Sequence, residues 1–136
     1  MQVSVTLRNE ISEIERLSET VSRFWAENRL PPNLEADVSL ALEEVVANVI
    51  LHGYQGGGKH HVRVKVALEG GLVSAAVEDE GVAFNPLEAP EPDLNRPIEE
   101  RPIGGLGIHL VRSLMDALEY RREGERNILV MKKRVG

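Results

Sequence analysis

The chain switches between two hydrophobic periods, and the switches mark its elements. VSVTLR, Val3 to Arg8, sets apolar and polar residues in turn, the pattern of a half-buried strand. From about Asn9 the spacing lengthens. Ile11, Ile14, Leu17, Val21 and Phe24 recur at helical intervals, with Asn9 or Ser12 available to cap the start. This helix is expected to stop near Arg29, because LPPN follows and paired prolines block continuation. Asn33 is then placed to cap a second helix over Leu34 to His52, with Gly53 just past its end. QGGGK reads as a connector, HVRVKVAL as a strand, EGG as a turn and LVSAAVED as the returning strand of a hairpin. A third helix fits Leu106 to Leu118, with Ile108, Val111, Leu114, Met115 and Leu118 on one side. LEYRR and ILVMKKR, joined by a turn at EGERN, form a second hairpin. The order β-α-α-β-β-α-β-β predicts an α+β fold, a two-layer sandwich with the helices on one face of a sheet.

One segment breaks the pattern. After Phe84, NPLEAPEPDLNRPIEERPIG holds five of the seven prolines and shows no periodicity. So long a connection is uncommon in a small domain. It is either a solvated, charged insertion or a lid over a site.

The bulk properties narrow the function classes. The length of 136 residues suits one domain with a sizeable core, and 42% hydrophobic and 28% charged residues are ordinary for a soluble globular protein. There is no cysteine, so disulfides and thiolate metal sites are excluded, which fits a reducing, cytoplasmic setting. The first residues, MQVSVTLRNEISEIE, lack the basic and apolar regions of a secretory signal. No apolar run approaches the roughly 18 residues of a membrane span. The net charge of −6 argues against a general nucleic-acid surface but leaves room for a nucleotide, whose charge backbone amides and a metal can neutralise locally.

Three stretches carry candidate chemistry. In LEEVVANVILHGY, Leu42 to Tyr54, Glu44, Asn48 and His52 lie in one narrow sector of a helix, beside an apolar arc of Val38, Leu42, Val45, Val46 and Val49. Glu43 falls on the far side of that arc and is expected to be solvated. An amide within so apolar a run either has a structural partner or holds a ligand. In VEDEGVAFNP, Asp79 ends a strand and Gly81 follows in a turn. The carboxylate could accept from an exocyclic amine, and the glycine leaves room for a flat ring. In IGGLGIHLV, Gly104, Gly105 and Gly107 run into an amphipathic helix, where exposed amides can meet an anion. The segment is neither a P-loop, for lack of G-x-x-x-x-G-K-[ST], nor a dinucleotide fingerprint, for lack of the parallel strand–helix–strand unit. His60, His61 and His109 are too few and too badly spaced for a metal site. The first two are expected to start a strand and the third to face solvent.

In this order, and with a proline-rich segment before the last, the three stretches resemble the GHKL ATPase superfamily, which shares the Bergerat ATP-binding fold. LEEVVANVILHGY matches its N box, DEGVAFNP its first glycine box and GGLGIHLV its second. Within it the chain looks most like the small anti-sigma-factor serine/threonine kinases. That likeness rests on Asn48, His52 and Tyr54, on the D-x-G-x-A-F-N-P form, and on LMD at Leu114 to Asp116. The resemblance implies a single domain over 1–136, with a mixed sheet, three helices on one face and a lid over about 86–104.

It also implies site roles. Asn48 would ligate Mg²⁺, and Glu44 would be the catalytic carboxylate that orients or deprotonates the attacking hydroxyl. Asp79 would accept from the adenine amino group, with Gly81 beside the ring. Gly104, Gly105, Leu106 and Gly107 would wrap the phosphates, and Arg101 or Arg96 in the lid would be the cation near the γ-phosphate. The implied activity is ATP-dependent phosphorylation of a serine on an anti-sigma-factor antagonist, with a sigma factor or other target held on a separate surface. The competing expectation is a nucleotide-dependent partner-binding module that transfers no phosphate. A histidine-kinase role is disfavoured, since only a short strand and helix precede the N box. Family members are dimeric, so a homodimer is expected. Phe24 and Trp25, adjacent on one helix, suggest one aromatic in the core and one at such a surface.

Overall fold

Alternation becomes a sheet with one wet face and one dry face. The structure is a computed structural model that describes residues 1–52, 60–83, 85–88 and 105–136, with the side chains of 52, 88 and 105–107 outside that description. Strand β1, Gln2–Arg8, turns Val3, Val5 and Leu7 inward and leaves Gln2, Ser4, Thr6 and Arg8 exposed. Strand β2, His61–Glu69, buries Val62, Val64 and Val66, and β3, Leu72–Asp79, buries Val73, Ala75 and Val77. Strands β4, Ala117–Glu123, and β5, Arg126–Arg134, form the second hairpin. Gly70 and Gly71, at φ 58° and 75°, make the two-residue turn between β2 and β3, where both central positions need a left-handed backbone.

The sheet runs β1-β2-β3-β5-β4, and every pairing is antiparallel. This corrects the expected mixed sheet. Strands β3 and β4 do point the same way, since both oppose β5. They would have made a parallel pair as neighbours, but β5 inserts between them and absorbs the mismatch.

Helix α1, Ile14–Glu27, is preceded by a 3-10 turn at Ile11–Glu13, and neither Asn9 nor Ser12 caps it. Asn9 instead prolongs the β1–β2 ladder: its N–H donates to the His60 carbonyl at 3.1 Å, and its Oδ1 accepts from the His60 N–H at 3.2 Å. Glu13, buried beside the helix start, accepts from the Arg8 N–H at 3.2 Å and from Arg8 Nε at 2.8 Å. After α1 the chain turns through Arg29 at φ 52°, and the Leu30 N–H returns to the Trp25 carbonyl at 3.1 Å. Phe24 and Trp25 are both buried, at 3% and 2% exposure. The expectation that one of them faces a partner is therefore wrong. The Trp25 indole fills the space beneath the α1–α2 connection and donates Nε1–H to the Pro31 carbonyl at 2.7 Å.

Helix α2 spans Pro32–His52, so it starts before the expected Asn33 cap. A proline is well suited to the first helical position, where its missing N–H has no intrahelical partner to lose. Helix α3, Gly105–Leu114, ends earlier than its periodicity predicts. Met115 still donates to the Val111 carbonyl, but the Asp116 N–H already pairs with the Lys132 carbonyl at 2.9 Å, and Leu118 belongs to β4. All three helices pack on the inner face, α2 between α1 and α3, over one hydrophobic core. Among the described residues no helix is long and apolar enough to cross a membrane.

Candidate functional site

Helix α2 buries Val38, Ala41, Leu42, Val45 and Val46, which leaves the adjoining edge half-buried. Glu44 and Asn48 stand on that edge one turn apart, so their side chains share a direction. Neither makes a hydrogen bond or ion pair to another described residue. Glu43 is also half-buried rather than solvated, so exposure does not separate the two glutamates. Helical position does, since Glu43 lies about 100° away from its neighbour. The structure thus answers one half of the puzzle: among the described residues Asn48 has no structural partner. The side chain of His52, and Tyr54 altogether, lie outside the described residues.

The end of β3 is more elaborate than its sequence suggests. Asp79 is 6% exposed on the inner face, and its Oδ1 accepts from the Gly81 N–H at 2.8 Å, closing a tight turn. The same Oδ1 accepts from Nδ2 of Asn127 at 3.0 Å, across the β3–β5 pairing. Asn127, 7% exposed, also donates Nδ2–H to the Val82 carbonyl at 3.0 Å, and its Oδ1 accepts from the Tyr120 hydroxyl at 2.6 Å. Arg122 Nη1 donates to the Gly81 carbonyl at 3.0 Å. Among the described residues Oδ2 of Asp79 accepts no hydrogen bond. Asn127, Tyr120 and Arg122 were not foreseen from the sequence. One signal was present: in RNILVM, Asn127 occupies the same face as Leu129 and Met131, an amide at an inward position.

Electrostatics around this strand end are set on the opposite face. Burial pushes Glu78 upward, but hydrogen bonds from Arg63, at 3.3 Å, and Arg126, at 2.6 Å, outweigh it and hold the carboxyl below its usual range. Its charge is therefore matched on the outer surface, away from Asp79, which points inward.

The third piece is the start of α3. Gly105 opens the helix, followed by Leu106 and Gly107, while Arg96, Arg101 and Gly104 lie outside the described residues, with most of the proposed lid. Just before that segment, Asn85 Oδ1 accepts from the Leu87 N–H at 2.9 Å, capping a 3-10 turn at Pro86–Glu88. Arg112 on α3 holds this turn by donating to the Leu87 carbonyl at 2.5 Å.

Topology brings the three pieces to one end of the molecule. The C-terminal half of α2, with Glu44 and Asn48, leads to β2, whose first residues pair with the last of β3, as Arg63 does with Glu78. Helix α3 ends near the other end of the sheet, where Lys133 donates to the Leu114 carbonyl at 2.6 Å. Its first turn therefore points back toward Asp79. Helix α2 packs on both α3 and β3.

Two features bear on whether nucleotide and metal fit. The unengaged amide of Asn48 offers a neutral oxygen of the kind Mg²⁺ accepts when phosphates and waters complete its shell. Oδ2 of Asp79 offers a carboxylate acceptor in a nearly dry setting. No group of three or more His, Cys, Asp or Glu able to hold a metal occurs among the described residues, so His60, His61 and His109 form no such cluster. His61 opens β2, and His109 is exposed, as expected.

Comparisons with known proteins identify the family and the fold. The family model of the histidine kinase-like ATPase domain matches residues 7–133. An anti-sigma F factor of Bacillus thuringiensis is 35% identical over 104 residues, covering 74% of this chain and 68% of the relative. The serine/threonine-protein kinase BtrW of Bordetella bronchiseptica is 27% identical over 117 residues, 82% of each chain. Among solved structures, the RsbU and RsbW domains of Rv1364c from Mycobacterium tuberculosis superpose with a TM-score of 0.71 at 20% identity. That match covers 99% of this chain and 32% of the other, and it shows the shared fold. With the family model matching almost from end to end and a relative at this identity, the chain belongs to the histidine kinase-like ATPase domain family, among the relatives of the anti-sigma F factors.

Proposed function

We propose that this protein is an ATP-dependent serine/threonine kinase and anti-sigma factor that works as one domain in a cytoplasmic partner-switching system. The observation that carries the reading is the pair Glu44 and Asn48, aligned on the edge of α2 and unused by the described fold. In this reading Asp79 accepts from the adenine amino group through Oδ2, and Gly81 lies beside the ring. Amides of Gly104, Gly105, Leu106 and Gly107 take the phosphates, and Arg101 supplies the nearby cation. Asn48 would hold Mg²⁺, which when bound would neutralise phosphate charge. Glu44 takes the proton of a partner serine hydroxyl as that oxygen bonds the γ-phosphorus, and ADP departs with the electrons of the broken bond.

The name anti-sigma F factor, borne by a relative, supports a sigma factor as the protein held. The phosphorylated protein is an anti-sigma-factor antagonist, and the protein held in its place is a sigma factor or comparable target. The domain acts as a homodimer. With both Phe24 and Trp25 in the core, this last expectation rests on the family likeness alone.

The test is transfer of label from γ-labelled ATP with Mg²⁺ to candidate antagonists, with Glu44→Ala and Asn48→Ala alongside. Label on a partner serine that drops at least a hundredfold in both variants is the expected result. Tight nucleotide binding without transfer to any candidate would favour the non-catalytic switch instead.

A further inference from the structure

Besides Gly81, Asp79 is held by Asn127, and through it by Tyr120, neither of which the sequence motifs single out. Oδ1 of its carboxylate is occupied twice, by the Gly81 N–H at 2.8 Å and by Asn127 Nδ2 at 3.0 Å. The orientation of the Asn127 amide is itself over-determined. Its nitrogen faces three acceptors: Asp79 Oδ1, the Val82 carbonyl at 3.0 Å and the Gly81 carbonyl at 3.5 Å. Its oxygen receives the Tyr120 hydroxyl at 2.6 Å. A flipped amide would set an oxygen against three oxygens, so only one orientation satisfies the set. These groups come from β3, β4 and β5 and from the turn after β3, and Asp79 and Asn127 are both almost fully buried.

We infer that Tyr120 and Asn127 are positioning residues that set the base preference of this site. The inference rests on the nucleotide-site reading above. A carboxylate with one oxygen pinned by two donors can offer a ligand only its other oxygen, in one direction, and that oxygen only accepts. Such an acceptor suits a purine carrying an amine at C6 and repels one carrying a carbonyl there. A loose carboxylate could swing aside, so it would give up part of the attraction and part of the repulsion together. Discrimination between the two bases therefore depends on the latch, whereas contacts to the phosphates do not.

The experiment compares binding of ATP, ITP and inorganic tripolyphosphate, all with Mg²⁺, to the wild-type chain and to Tyr120→Phe, Asn127→Leu and Asn127→Asp. ATP and ITP differ in the ring at C6 and N1, and tripolyphosphate reports the phosphate side alone. The wild type is expected to prefer ATP. That preference should fall about tenfold in Asn127→Leu and Asn127→Asp, and by a smaller factor in Tyr120→Phe, while tripolyphosphate affinity stays within about twofold. Tyr120→Phe keeps the ring and its packing, so it tests the latch even if a change at 127 prevents folding. An unchanged ATP-to-ITP ratio in variants that fold overturns the inference, and so does an equal loss for all three ligands, which marks a merely structural role. A wild type that binds no nucleotide overturns the site reading itself and the inference with it. A wild type that binds ATP and ITP alike overturns only the inference.

Discussion

Glu13 shows how a single carboxylate can tie two elements and give the fold a pH dependence. The side-chain hydrogen bond from Arg8, reinforced by the Arg8 backbone N–H, holds its carboxyl below the ordinary glutamate value against the opposing effect of burial. A carboxyl depressed in the folded state contributes stability above its unfolded value, about 4.3, and loses that contribution as pH falls through the lower folded value. Denaturant titrations of the wild type and Glu13→Gln should therefore show the wild type more stable at pH 7, with the gap closing below about pH 4. Parallel curves from pH 7 to pH 3 would mean that Glu13 acts through packing alone. At this scale the candidate site was only partly legible. Asn48 stood out because it interrupts an apolar run, and Asp79 because it ends a strand just before a glycine turn. Asn127 did not, because its role depends on lying across from Asp79 in a pairing 48 residues apart in sequence. The pair Phe24 and Trp25, expected to split between core and surface, is buried entirely, and Trp25 shows why. A helix-surface rule gives its direction but not the Pro31 carbonyl waiting there.

Among the elements, α3 depends most on what lies outside it. Its first turn leads from the proposed phosphate loop, and its last carbonyl region is held from β5: Lys133 Nζ donates to the Leu114 carbonyl at 2.6 Å and pairs with Asp37 of α2 at 3.5 Å. A cation at a helix C-terminus complements both the unsatisfied carbonyls and the dipole. Lys133→Met, which keeps most of the alkyl packing, should cost about 1–2 kcal/mol in chemical denaturation, since it removes a charge-assisted hydrogen bond from a mostly buried position. A loss below about 0.3 kcal/mol would show that water replaces the lysine freely. The order of elements was legible throughout, because periods of 2 and 3.6 differ strongly over strands and helices of this length. The ends were less so. Leu118 continues the helical period of α3, yet it joins β4 because the Asp116 N–H is claimed by the Lys132 carbonyl.

For the whole molecule, nucleotide binding should appear as stability. A ligand that binds only the folded chain adds about 2.7 kcal/mol at a hundred times its Kd, which for a domain of this size is several degrees in Tm. ATP with Mg²⁺ should therefore raise the Tm, and chelating the metal should reverse most of the shift. Asn48→Ala, which loses no hydrogen bond to a described residue, should keep the ligand-free Tm within about 2 °C but forfeit the Mg²⁺-dependent part. An Asn48→Ala chain that melts well below the wild type without ligand would instead assign that amide to the fold. By itself the sequence determined the classes and order of the elements, the two-layer architecture and the family-type motifs. Hydrophobic period and turn chemistry are local, so they can be read a dozen residues at a time. Only the tertiary structure decided the insertion of β5 that makes every strand pair antiparallel, the burial of both aromatics of α1, and the Tyr120–Asn127–Asp79 latch. Each of these depends on which distant segments become neighbours, and that is settled by the packing of the whole core rather than by any stretch within it.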